Sequence, residues 1–273
     1  MTSDGTGIGI GWRPEIAEIV AGLPGLSFVE VIAETLEPAG PLPPPLAGLR
    51  ARGIAVVPHG TRLSLGGAEP VEPARVAHLA ALARTLQAPM VSEHIAFVRA
   101  GGIEAGHLLP VPRTREAIDA LVANIDRTQA ELCVPLALEP IAALFDWPDD
   151  ELDEADFLTE ILDRSGAWLL LDIANVYANA VNRGTDPVAL LDRLPLERVA
   201  YVHVAGGRES DGVYHDTHTD PIGEPVLALL RELCARRRPP AVMLERDGNY
   251  PPAAQLRAEL DRIAAAAGCP ATT

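Results

Sequence analysis

Four histidines and four carboxylates stand where apolar runs of the 273-residue chain end. His59 closes IAVVPHG (54–60), His94 follows Glu93 in MVSEHIAF (90–97), and Glu139 ends PLALEP (135–140). Asp172 lies in AWLLLDIANVY (167–177) and His203 in VAYVHVAGG (199–207). Asp216 and His218 occupy the loop that follows, and Glu245 lies in PAVMLERDGNY (240–250). A lone strand-end histidine is ordinarily just hydrogen-bonded. Eight such groups at one mouth are different, because partly desolvated carboxylates repel one another unless cations lie among them. Asn175, three residues after Asp172, falls where the chain turns and adds a ninth donor as a ligand or as an orienter of ligands. One octahedral ion takes about six donors. Two or three ions bridged by carboxylates fit better. Imidazole and carboxylate without thiolate suit iron, manganese or zinc.

Such convergence needs a scaffold that gathers six consecutive strand ends. Apolar runs at 7–12, 28–34, 54–60, 90–97, 135–140, 167–177, 199–207 and 240–250 read as strands. Helical patterns at 14–23, 74–87, 113–132, 154–166, 186–194, 224–237 and 252–268 alternate with them. The strands are almost continuously apolar, as strands covered on both faces are. The alternation predicts an α/β fold, a single-domain (β/α)8 TIM barrel over residues 1–273, with its chemistry at the C-terminal strand ends. An open doubly wound sheet is the alternative, and the absence of a GxGxxG turn argues against it. PAGPLPPPLAG (38–48) is expected to be an irregular loop, as is GHLLPVP around His107.

The formal charge of −16 disfavours a nucleic-acid partner, since phosphate backbones are repelled. All 22 basic residues are arginine, which excludes Schiff-base chemistry and a lysine base. No run of about 18 apolar residues suggests a membrane span. MTSDGTGIGIGW lacks the basic start and apolar core of a signal peptide. Three cysteines, Cys133, Cys234 and Cys269, without CxxC spacing read as reduced thiols of a cytoplasmic protein. Cys133 reads as a core residue.

The stretches PHGTRLSLG (58–66), VSEHIAF (91–97), HLLPVPRTREAI (107–118), LALEP (136–140), LLLDIANVYANA (169–180), VHVAG (202–206), DTH (216–218) and LERDGNYP (244–251) follow one another along nearly the whole chain. In them the chain resembles the multinuclear non-heme iron-dependent oxidases, peptide-modifying TIM-barrel enzymes. The resemblance implies iron ligands at His59, His94, Glu139, Asp172, Asn175, His203, Asp216, His218 and Glu245, with His59, His94, Asp172 and His203 catalytic. It implies two or three irons of mixed Fe(II)/Fe(III) valence and dioxygen as co-substrate. The substrate class is a ribosomally made precursor peptide, oxidised most often at cysteine. Because the barrel uses the chain almost entirely, a separate partner protein is expected to bind the precursor's leader. Two departures bear on the pocket: the family commonly has Glu-Asn at Glu139-Pro140, and often Asn where Thr35 stands.

Two other classes fit the residues: a metal-dependent barrel hydrolase or isomerase of the endonuclease IV or sugar-isomerase type, and a non-catalytic metal-binding scaffold. The acidic charge disfavours DNA, and the missing lysine disfavours a lysine-assisted hydride shift. Secondary candidates are His107, Arg113 and Arg115 as substrate contacts, and Glu30, Glu34, Arg246 and Asp247 as supports for the ligands.

Overall fold

Side chains that alternate between the inside and the outside of eight parallel strands build the scaffold. The computed structural model describes residues 6–270, so the two ends of the expected 1–273 domain, including the first five residues read above for targeting, lie outside the described residues. Along the chain follow β1 (Gly7–Trp12), α1 (Ala17–Gly22), β2 (Phe28–Ile32), α2 (Pro44–Ala51), β3 (Ala55–Gly60), α3 (Pro73–Leu86), β4 (Val91–Ala100) and β5 (Ile103–Pro110). Next come α4 (Arg115–Glu131), β6 (Leu136–Pro140), α5 (Glu154–Ser165), β7 (Trp168–Asp172), α6 (Ile173–Arg183) and α7 (Pro187–Leu191). The chain continues with β8 (Val199–Val204), β9 (Arg208–Ser210), β10 (Val213–His215), α8 (Glu224–Arg236), β11 (Ala241–Leu244) and α9 (Ala253–Ala266).

The sheet runs β3-β2-β1-β11-β8-β7-β6-β4, and β3 pairs with β4 to close it. All pairs within this ring are parallel. The chain therefore folds as the expected eight-stranded α/β barrel. Two apolar layers hold it together. Outward-facing Val29, Leu138, Leu169, Leu171 and Val242 pack with helix residues such as Leu79, Leu121, Ile125, Ile161 and Leu230. Inside the ring, Phe28, Val57, Met90, Ala137, Leu170, Tyr201 and Met243 form a separate plug. Two residues beyond a plug residue comes Glu30, His59, Glu139, Asp172 or His203 on its own strand, or Glu245 just past the end of β11. With a period of two, the plug residue and the polar residue share the inner face.

β1 is thinned at its inner positions. A Cβ on Gly9 would lie 2.4 Å from the Phe28 ring, so the absent side chain is what admits that ring.

The structure departs from the sequence expectations in four places. The 38–48 segment is not wholly irregular, because Pro44 and Pro45 open α2 at the first turn, where no amide donor is needed. The 167–177 strand stops at Asp172, whose carboxylate caps α6 by accepting from Ala174 N and Asn175 N, and this cap ends the apolar run as a strand. His107 is not in a loop; it lies on β5, which folds back antiparallel onto β4 through Gly101 and Gly102 at positive φ. Asp211 and Gly212 make a second hairpin of β9 and β10 in the same way. Cys133 is exposed rather than core, since it falls in the turn between α4 and β6.

Candidate metal centre

Six of the eight barrel strands bring a polar group at or just past their ends into one largely buried cluster. His59 Nε2 and His94 Nε2 both lie 3.4 Å from Glu139 Oε2. The other Glu139 oxygen is 3.2 Å from His203 Nδ1, which is also 2.9 Å from Glu245 Oε2. Asp172 spends one oxygen on the α6 cap and keeps Oδ2 for the mouth, 4.0 Å from His218 Nε2. That nitrogen also meets Asp216 Oδ2. Among the described residues, the donor atoms fall into overlapping groups in which all members lie within 4.8 Å of one another. They are His59–His94–Glu139, Glu139–Asp172–His203–Glu245, Asp172–Asp216–His218 and His218–Glu245–Asp247. Every histidine and carboxylate expected from sequence belongs to at least one, and Asp247 joins them. Asn175 is buried beside Asp172 and donates its amide to the Pro140 carbonyl at 3.1 Å.

The donors suit a cation. Glu139 Oε2, Asp172 Oδ2, His203 Nδ1, Asp216 Oδ1 and Glu245 Oε2 are buried and have no hydrogen-bond partner. His203 Nδ1 and Glu245 Oε2 are close in space yet lack hydrogen-bonding geometry, as two lone pairs aimed at a shared cation would. The electrostatics agree. Burial, with Asp216 and Glu139 nearby, pushes the Asp172 carboxyl well above its usual range. Burial would also raise Glu245, but His218 and His203 outweigh it and hold that carboxyl well below its usual value. His94, which burial alone would depress, is pushed up to about 9 by Glu139 and Glu93. The cluster is thus short of positive charge, which a divalent cation would supply in place of protons.

Supports surround these atoms. Asp247 Oδ2 lies 3.1 Å from His218 Nδ1, and its backbone amide donates to the His218 carbonyl. His218 itself has φ 55°, a left-handed conformation that side chains other than glycine adopt uncommonly. Arg13 clamps Asp247 through Nε at 2.7 Å. Sequence reasoning missed Arg13, which follows β1, a strand that ends in no histidine or carboxylate; Gly11, beside which the guanidinium packs, was the available signal. Glu93 is no member of the donor groups. It accepts from Leu63 N and His94 N and so fixes the loop after β3. Arg246 makes a buried ion pair with Glu259 of α9. Glu34 accepts from Thr61 and belongs to none of the donor groups.

Arg113 and Arg115 are taken up elsewhere: Arg113 pairs with Asp146 and Asp150, and Arg115 with Glu160. His107 is exposed and lines a cavity of about 310 Å³ with Thr61, Arg62 and Glu104.

Gly206, just past β8, is where the ligand-bearing loop folds back tightly. A Cβ there would sit 2.0 Å from the Asp220 carbonyl oxygen. Gly206→Ala must therefore shift the loop that carries Asp216 and His218. The expected cost is about 1–3 kcal/mol of overpacking strain, or roughly 2–10 °C in Tm, together with lower metal content. Thermal denaturation and metal analysis of the variant check both, and an unchanged melting point with full metal would contradict the loop geometry.

A closed parallel barrel with a histidine–carboxylate cluster at its C-terminal mouth that could hold metal defines a TIM barrel with a candidate metal centre. The comparisons narrow this class. The family model described as RiPP precursor modification enzyme MbnB/TglH/ChrH matches residues 7–268, and the chain belongs to that family. A UPF0276 protein of Streptomyces avermitilis is 54% identical over 264 residues, covering 94% of this chain and 54% of the relative. The chain thus spans about half the length of that relative. A UPF0276 protein of Bordetella bronchiseptica is 41% identical over 94% of this chain and 91% of its own. Among solved structures, an L-ribulose 3-epimerase superposes with a TM-score of 0.58 at 17% identity, covering 96% of this chain and 91% of that one. Endonuclease IV from Thermus thermophilus gives 0.56 at 19% identity, covering 93% and 98%. At such identities the likeness is one of fold.

Proposed function

We propose that this chain is a multinuclear iron- and dioxygen-dependent oxidase that modifies a side chain, most often cysteine, of a ribosomally synthesised precursor peptide. The observation that carries the reading is the set of buried, unpartnered donor atoms on Glu139, Asp172, His203, Asp216 and Glu245. His59, His94, Glu139, Asp172, His203, Asp216, His218 and Glu245 hold two or three iron ions, in mixed Fe(II)/Fe(III) valence, with Asn175 as the further donor. When bound, iron supplies redox chemistry toward dioxygen and lowers the pKa of a substrate thiol.

The chain's own residues do the rest. Glu139 ties the His59–His94 side of the cluster to the His203–Glu245 side. Asp172 is oriented by the amides of α6, and His218 by Asp247 and Arg13. Through these groups the four residues His59, His94, Asp172 and His203 keep the reactants at attack distance. Among the described residues no helix is long and apolar enough to cross a membrane. The three free thiols fit a reducing, cytoplasmic setting. The described residues form the barrel and its two hairpins. A separate protein that carries the precursor's leader is proposed as well. Pull-down with neighbouring gene products tests the partner, and full activity of this chain alone on a full-length precursor would dispose of it.

The decisive experiment is anaerobic purification with metal analysis, followed by mass spectrometry of a co-expressed candidate peptide. Bound iron and a mass change that requires dioxygen are expected. Bound zinc with an unchanged peptide would sink the reading in favour of a hydrolase or isomerase.

A further inference from the structure

Beneath the cluster a chain of hydrogen-bonded side chains links two of its histidines through Ser92, Tyr201 and Glu30. His59 Nδ1 lies 2.8 Å from Ser92 Oγ. Ser92 Oγ is 2.7 Å from Tyr201 Oη, and Tyr201 Oη is 2.6 Å from Glu30 Oε2. The same Glu30 oxygen meets His203 Nε2 at 2.9 Å. These five residues stand on β3, β4, β8 and β2, and none is more than 2% exposed. Buried in this way, they share their hydrogens among themselves.

Counting hydrogens fixes the direction of the chain. A carboxylate only accepts, and each hydroxyl has one hydrogen to give. Tyr201 therefore donates to Glu30 and has none left for Ser92. Ser92 must donate to Tyr201, and so accepts from His59. That places the His59 hydrogen on Nδ1. His203 likewise donates from Nε2 to Glu30. The nitrogens left bare, His59 Nε2 and His203 Nδ1, are the two that face the Glu139 oxygens. One histidine thus presents Nε2 to the mouth and the other Nδ1, both set by one acid.

We infer that Glu30 is a positioning residue that fixes the ring tautomers of two ligands at once, His203 directly and His59 through Tyr201 and Ser92. It couples the His59–His94–Glu139 group to the Asp172–His203–Glu245 group from below. Without an obligate acceptor at Glu30, the hydroxyls are free to reverse. Tyr201 then donates to Ser92 and Ser92 to His59 Nδ1, which moves the histidine's hydrogen onto Nε2 and removes the lone pair from the mouth. The inference rests on reading the cluster as a metal centre.

The test uses zinc(II) as a diamagnetic probe. Long-range ¹H–¹⁵N spectra of ¹⁵N-labelled protein distinguish Nδ1- from Nε2-coordinated histidine, and titration gives stoichiometry and affinity. In the wild type His59 is expected to coordinate through Nε2 and His203 through Nδ1. Tyr201→Phe, nearly isosteric, should leave the His203 pattern intact, release the His59 tautomer and weaken one zinc site about 10–100-fold. Glu30→Leu should disturb both histidines. Glu30→Gln, which keeps an acceptor oxygen, should restore both patterns. Wild-type tautomers and affinities in both Tyr201→Phe and Glu30→Leu would overturn the role of Glu30 while leaving the metal centre standing. A wild-type protein that takes up neither zinc nor iron would overturn the centre and this inference with it.

Discussion

On the proposed function, Glu139→Ala is expected to strip most of the metal from the chain and to lower peptide oxidation about 1,000-fold or more. Among the carboxylates of the cluster, none reaches more histidines. Its Oε2 lies 3.4 Å from both His59 and His94, and its Oε1 3.2 Å from His203, so the two sides of the cluster meet on this one carboxylate. Losing several kcal/mol of charge stabilisation corresponds to roughly three powers of ten in rate. The fold should survive, because Glu139 sits above the apolar plug and outside the helix–strand layer. Metal analysis, circular dichroism and peptide mass spectrometry on one preparation separate these effects. A folded variant with full metal and activity would show that Glu139 bridges nothing.

Metal removal is the second large effect. Chelation leaves Glu139, Asp172, Asp216 and Glu245 facing one another in a dry site, where like charges are costly. Metal bound only by the native state, at about 1,000 times its dissociation constant, contributes roughly 4 kcal/mol of stability. For a chain of this length that is about 10 °C in Tm. The melting temperature should fall by that amount on anaerobic chelation and recover when ferrous iron is returned. A loaded sample that loses its metal without any fall in Tm would mean that the cluster contributes nothing to the native state.

Much of this was legible in the sequence because the barrel repeats one rule. An inward apolar residue is followed two positions later by an inward polar one: Val57 then His59, Ala137 then Glu139, Leu170 then Asp172, Tyr201 then His203, Met243 then Glu245. Strand periodicity alone exposes that pattern. What stayed hidden depends on contacts between strands distant in sequence. Glu30 shows the same alternation after Phe28, yet only the closed ring reveals that it lies under His203, 173 residues away. The Arg13–Asp247 pairing spans 234 residues and joins the two ends of the barrel. Local misreadings had local causes. The cap at Asp172 converted an apparent strand into α6, and the glycine pair at 101–102 turned an apparent loop into the β4–β5 hairpin.

The apolar plug settles the traffic of the site. Phe28 reaches across to the space that Gly9 leaves open, and Val57, Leu170, Tyr201 and Met243 fill the rest of the barrel's interior. The cluster has a solid floor, and interiors packed in this way leave no passage for an ion or a peptide. An ion or a peptide therefore reaches the cluster from the mouth. On the proposed function this imposes an order of events, because a peptide already seated in the mouth stands between the solvent and the empty ligands. The centre has to be loaded before its substrate arrives, and a chain that meets its peptide too early is locked out of its own metal.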